Sequence, residues 1–188
     1  MSLEEFLSHI RSANALDLAS ESLHRDFVHA IPDTATYRSF LGKIRLDYPT
    51  SEHIAIMGSG NWKFSLNPDK NFSEYHLKSD IDVAIICRES FEQAWEELRA
   101  YHRKNFYLIP KEARVQLKRN GENVYSGFIS PKWIPKKSSA KFKYKLNVNK
   151  YSNNIIGFRS VNMMYFKNLD EALDYYVRGF LYAQQRKT

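Results

Sequence analysis

The segment Ser79-Asp80-Ile81-Asp82-Val83-Ala84-Ile85-Ile86 limits what this chain can fold into more than any other stretch. It reads as a buried strand running on to Cys87, and side chains on a strand alternate between its two faces. Asp80 and Asp82 therefore share one face, while Ile81, Val83 and Ile85 take the other and pack inward. Neighbouring carboxylates repel, and each favours protonation unless a cation lies between them. A divalent cation answers that need, and ligands that are all oxygen point to Mg²⁺ or Mn²⁺ over zinc. Upstream, Ile54-Ala55-Ile56-Met57 reads as a second buried strand that stops at Gly58-Ser59-Gly60. Glycines let backbone N–H groups approach an anion, and the Ser59 hydroxyl adds a donor to a phosphate oxygen. A carboxylate pair beside such a turn suits a metal-bridged triphosphate. Solvated strand-end carboxylates beside an ordinary tight turn are the plain alternative.

Composition sets the class. The chain has 188 residues, 43% of them hydrophobic and 14% aromatic, enough to bury a core. No apolar run reaches the roughly 18 residues of a membrane span, so no membrane role is expected. The acidic start, Met1-Ser2-Leu3-Glu4-Glu5-Phe6, lacks an apolar signal core, which argues against secretion. The single cysteine, Cys87, excludes an internal disulfide and a multi-cysteine zinc site, and a reducing cytoplasm is the expected compartment. The net charge of +7, from 28 Lys and Arg against 21 Asp and Glu, favours anionic partners. Oligomeric state is open.

Residues 1–50 read as helical. Leu3, Phe6, Leu7 and Ile10 recur at helical spacing, Asp33 caps a helix through about Leu46, and Pro49 ends it. Ser90 with Gln93 forms a capping box for a helix over about Phe91–Asn105. Asn120-Gly121, between Ala113–Arg119 and Val124–Ile129, predicts a type I′ hairpin, and Phe142–Val148 predicts a further strand. Asn168 with Glu171 opens a final amphipathic helix to about Gln185. The expected fold is one α/β unit at residues 51–150, flanked by the helical part at 1–50 and a C-terminal helical part at 151–188.

Met57-Gly58-Ser59 leading to Asp80-Ile81-Asp82-Val83 resembles the signature of the DNA polymerase β-like nucleotidyltransferases. The resemblance covers about Ile54 to Ile86 and implies a small mixed sheet of that type. By it, Gly58, Ser59 and Gly60 would hold the triphosphate of an NTP. Asp80 and Asp82 would bind Mg²⁺ or Mn²⁺ and carry catalysis. A hydroxyl of RNA, protein or a small molecule would attack the α-phosphate and release pyrophosphate. The same resemblance admits a catalytically weak homologue that senses nucleotide or serves in a complex, while the basic stretch Lys132–Lys150 supports a nucleic-acid-binding module instead. Asn61–Lys78 is then an insertion. The family's third carboxylate would fall on the expected strand Arg114–Lys118, where Gln116 stands, with Glu112 and Glu122 as substitutes.

Other features have two readings each. Lys132, Lys136, Lys137, Lys141, Lys143, Lys145 and Lys150, interleaved with Trp133, Phe142, Tyr144 and Tyr151, form a polyanion surface for RNA or a protein acceptor, or a solvated face. Trp62, Lys63, Phe64, Asn67 and Lys70 contact a nucleotide or pack the inserted loop. His53, His76 and His102 have no metal spacing, and Cys87 reads as a small buried residue.

Overall fold

Side-chain caps set the helix starts. Ser2 and Glu5 form a capping box for α1 (Leu3–Ser12), and Asn14 accepts from Leu16 N–H at the head of α2 (Ala15–His24). Asp33, as expected, accepts from Thr36 N–H at 2.7 Å to open α3 (Thr34–Asp47). The computed structural model describes residues 1–134 and 138–185. Lys136 and Lys137 of the basic stretch lie outside them.

After α3 come β1 (His53–Met57), the single turn α4 (Ser59–Trp62), β2 (Ile81–Ile86) and α5 (Arg88–Asn105). Then follow α6 (Lys111–Tyr125), β3 (Phe128–Ile129), α7 (Ser139–Tyr151), β4 (Val161–Phe166) and α8 (Leu169–Gln185). Among the described residues the architecture is thus mixed α/β, with eight α-helices around one four-stranded sheet of order β1-β2-β4-β3. β2 pairs antiparallel with β1 and parallel with β4, and β3 pairs antiparallel with β4. No described helix is long and apolar enough to cross a membrane.

The period of two in β2 sorts two cores. Ile54, Ile56, Ile81, Val83 and Ile85 are buried on one face with Tyr37, Phe40 and Ile44 of α3, Leu98 of α5 and Tyr144 and Tyr151 of α7. Ala55, Met57, Ala84 and Ile86 are buried on the other with Phe6 of α1, Leu18 and Leu23 of α2 and Phe180 of α8. Each fully buried Ile or Phe contributes about 1.5–3 kcal/mol. The two aspartates lie at the entry to β2, on the α1–α2–α8 side.

Three expectations fail. The hairpin is absent: Asn120 and Gly121 lie inside α6, where Ala113, Leu117, Asn120 and Val124 recur at helical spacing and Leu117 and Asn120 are buried. That helical period outweighs the turn preference of Asn-Gly and the roughly 1 kcal/mol a mid-helix glycine loses against alanine. Phe142–Val148 is helix, not strand. α7 buries Ala140, Tyr144, Asn147 and Tyr151, Ser138 caps it, and Glu97 accepts from both Ser138 and Ser139 hydroxyls and from Ala140 N–H. The sheet also reaches past residue 150, because β4 falls in the part expected to be only helical. A smaller shift affects α5. Cys87 N–H bonds Phe166 O and the helix begins at Arg88, so Ser90 sits in its first turn instead of capping it. α8 runs as expected, with Asn168 accepting from Glu171 N–H at 2.9 Å.

Candidate functional site

The pairing register assembles the site. Asp82 faces Met57 across the β1–β2 pair and Asn162 across the parallel β2–β4 pair. Asp80 is exposed just before β2, and Asp82, on the same face, is half-buried. The Asn162 amide N–H₂ donates to an oxygen of Asp80 and, at 3.4 Å, to one of Asp82. Lys132 Nζ donates to Asn162 Oδ1 at 3.1 Å, which fixes the amide with its N–H₂ toward the carboxylates. Burial, then the charge of Asp80, pushes the Asp82 carboxyl up to about 6, partly offset by the Asn162 hydrogen bond. The pair is held together against its own repulsion, with an amide donor where a cation would fit.

Gly58 closes one side. Its φ of 64° and ψ of −153° belong to a region essentially restricted to glycine, and a Cβ there would stand 2.7 Å from Asp82 Oδ2. The turn after it is anchored from below. Buried Asn61 donates to the carbonyls of Ser22 and Ile56, both at 2.9 Å, and Trp62 Nε1 donates to Ser22 Oγ at 2.9 Å. The residues expected to hold phosphate are therefore placed differently from one another. Gly58 lines a cleft beside Asp82, Ser59 is half-buried next to it, and Gly60 is buried against Ile56 and Ala30.

That cleft has a volume of about 500 Å³ and runs between the loop at residues 65–70 and α8. Lys70 and Arg178 bring positive charge to its wall, and Tyr175, Tyr176 and Tyr182 bring aromatic surface. The buried Tyr176 hydroxyl has no hydrogen-bond partner among the described residues. Burial, with the Asp82 charge as a lesser cause, holds the Tyr176 hydroxyl far above its ordinary range, so it stays a neutral donor. Within residues 61–78, Trp62 and Phe64 are core residues at 3% and 4% exposure. Trp62 packs against Phe6 and Phe180 beneath the Arg25 guanidinium at 3.7 Å. Lys63 pairs with Glu74, Asn67 caps the turn at Pro68–Lys70, and only Asn67 and Lys70 of the five reach the cleft.

Gln116, expected near the aspartates, is exposed on α6. The residue bonded to both aspartates is Asn162, and sequence reasoning missed it together with β4. The signal available was Asn162 as the polar residue in the otherwise apolar run Val161–Phe166. Among the described residues no group of three or more His, Cys, Asp and Glu is placed to hold a metal ion. The donor set nonetheless suits a hard cation, with two adjacent carboxylates and an amide oxygen one side-chain rotation away.

At least three of the five described lysines of the basic stretch have partners within the fold. Lys132 bonds Asn162, Lys150 pairs with Asp47 at 2.7 Å, and Lys143 lies over the Tyr48 ring at 5.0 Å. His53 bonds Leu23 O, and Cys87 is buried. No family model matches this sequence, and no curated protein or solved structure matches the chain.

Proposed function

We propose that this chain is a nucleotidyltransferase-like protein that binds an NTP with Mg²⁺ or Mn²⁺. Asp80 and Asp82 would hold the metal, and Gly58 and Ser59 would face the phosphates. The observation that carries this reading is the same-face carboxylate pair in register with Asn162, beside a cleft walled by Gly58, Lys70 and Arg178. A bound Mg²⁺ would supply charge neutralisation along the triphosphate. Gly58 lets a phosphate approach without a Cβ in the way, Lys70 adds charge along the cleft, and Arg178 lies there paired with Asp174 at 3.0 Å. In the first reading, an acceptor hydroxyl of RNA, protein or a small molecule attacks the α-phosphate in line and pyrophosphate leaves, with positioning providing most of the acceleration.

Asn162 favours a second reading, nucleotide binding with little or no transfer, in a sensor or a component of a complex. An amide coordinates through oxygen, but it cannot take the proton of an attacking hydroxyl at neutral pH. Titration calorimetry of each of the four NTPs, with Mg²⁺ and with EDTA, on wild type and Asp80→Ala tests the shared claim. Saturable binding that needs both Mg²⁺ and Asp80 is expected. Equal heats in Asp80→Ala would remove the site. An Asn162→Asp variant that gains transfer of an α-labelled nucleotide would favour the second reading for the wild type.

A further inference from the structure

A second stretch of unbalanced charge lies away from the carboxylate site, on α5, α6 and their connection. Between residues 98 and 121 there are seven Lys and Arg against one carboxylate, Glu112. Arg99 meets Glu96 at 3.5 Å, but among the described residues Arg103, Lys104, Lys111 and Lys118 form no ion pair. The two helices leave a groove of about 440 Å³ between them. Trp95, Leu98, Leu117 and Val124 supply its apolar surface, and Arg99, Arg103 and Lys118 its charge. Tyr125 stands in its wall at 94% exposure, and Tyr107, in the α5–α6 connection, is 87% exposed. Aromatic rings left this open in a cationic setting need a partner that offers both negative charge and flat faces.

We propose that the α5–α6 groove binds single-stranded nucleic acid. Bases stack on Tyr125 and Trp95, and Arg99, Arg103 and Lys118 pair with the phosphates. Every base has a π-face, so stacking on exposed rings beside a cationic track captures a strand with little regard to sequence. An acidic peptide would satisfy the cations and leave the rings without a role. An anionic membrane would meet its apolar contacts on a convex surface, whereas Leu98, Leu117 and Val124 line a concavity. A duplex is too wide to enter a groove of this size. The lysines of Lys132–Lys150 are weaker candidates, because Lys132 and Lys150 already have partners inside the fold.

Fluorescence anisotropy with labelled oligo(U) and oligo(dT) of about a dozen nucleotides tests the proposal. Both should bind, with affinity falling steeply between about 50 and about 200 mM salt. Tyr125→Ala should weaken binding roughly fivefold to a hundredfold. Arg103→Glu combined with Lys118→Glu should remove binding at the higher salt, with thermal stability retained because all three side chains are exposed or border the groove. Asp80→Ala should bind as wild type does, which separates this surface from the carboxylate site. No binding at the lower salt would overturn the proposal. So would affinity unchanged in both groove variants, or polyglutamate or phosphatidylserine vesicles displacing the oligonucleotide as well as unlabelled strand does.

Discussion

β4 carries two polar groupings on its opposite faces, and they are built to opposite specifications. On the α3–α5–α7 side, Tyr165 shares a 2.6 Å hydrogen bond with the Tyr48 hydroxyl, which also accepts from Asn147 Nδ2 at 3.0 Å. Nearby, Asp47 accepts from Tyr151 Oη at 2.6 Å and from Lys150 Nζ at 2.7 Å. Burial alone would raise the Asp47 carboxyl, but these donors outweigh it and hold it below the ordinary carboxylate range. On the α1–α2–α8 side, Asn162 stands between two like charges, and Asp82 is raised to about 6 by burial and by Asp80. The first grouping is satisfied by the chain itself. The second leaves two like charges on a single amide donor, and the proposed metal–triphosphate site rests on that mismatch.

The largest effect separating the two faces should come from Tyr165→Ala. It opens a cavity among buried residues and removes one partner of the Tyr48 hydroxyl, and it should cost about 3–5 kcal/mol in urea unfolding. A loss under about 1 kcal/mol would deny the network its structural role. Gly58→Ala should cost about 1–3 kcal/mol through its backbone conformation and the Asp82 contact. Binding of the Mg²⁺–NTP complex should be lost with it, and full stability with full binding would break the link between turn and carboxylate. Asp47→Asn should be milder, about 1 kcal/mol at neutral pH. Because the Asp47 pKa is lowered in the fold, its stabilisation is present above about pH 4 and is lost as the pH falls through the folded value. The variant should therefore narrow its gap to wild type in acid, a trend that unfolding at pH 3 and pH 7 checks.

Asp80 and Asp82 were legible because Ile81, Val83 and Ile85 alternate with them, and a period of two on a buried strand fixes the shared face. Gly58 was legible because a small residue ends an apolar run. Asn162 was not, since within Val161–Phe166, Met163 adjoins Met164 and Tyr165 adjoins Phe166, so the sequence carries no alternation to announce a strand. The same physics misled the reading of α7. Phe142, Tyr144, Leu146 and Val148 alternate as a strand would, yet Phe142 and Leu146 are exposed and burial follows the helical spacing of Ala140, Tyr144, Asn147 and Tyr151. In α6 a favourable turn dipeptide was overruled by the helical spacing that buries Leu117. Local chemistry placed Asp80, Asp82 and Gly58 together. Long-range pairing, which no short pattern encodes, set Asn162 beside them.

The most direct test of the central claim compares denaturant unfolding of wild type and Asp82→Asn at about pH 7.5, in EDTA and with Mg²⁺ plus NTP. An Asp82 pKa raised from 3.8 to about 6 means that the native state holds the proton more tightly than the unfolded chain. The group's contribution is therefore favourable below about pH 4 and is lost as pH rises through about 6, up to about 2–3 kcal/mol. In EDTA the Asp82→Asn protein should then be the more stable of the two, and with Mg²⁺ and NTP the order should reverse. If wild type and variant keep the same order under both conditions, the carboxylate pair is not a metal–triphosphate site.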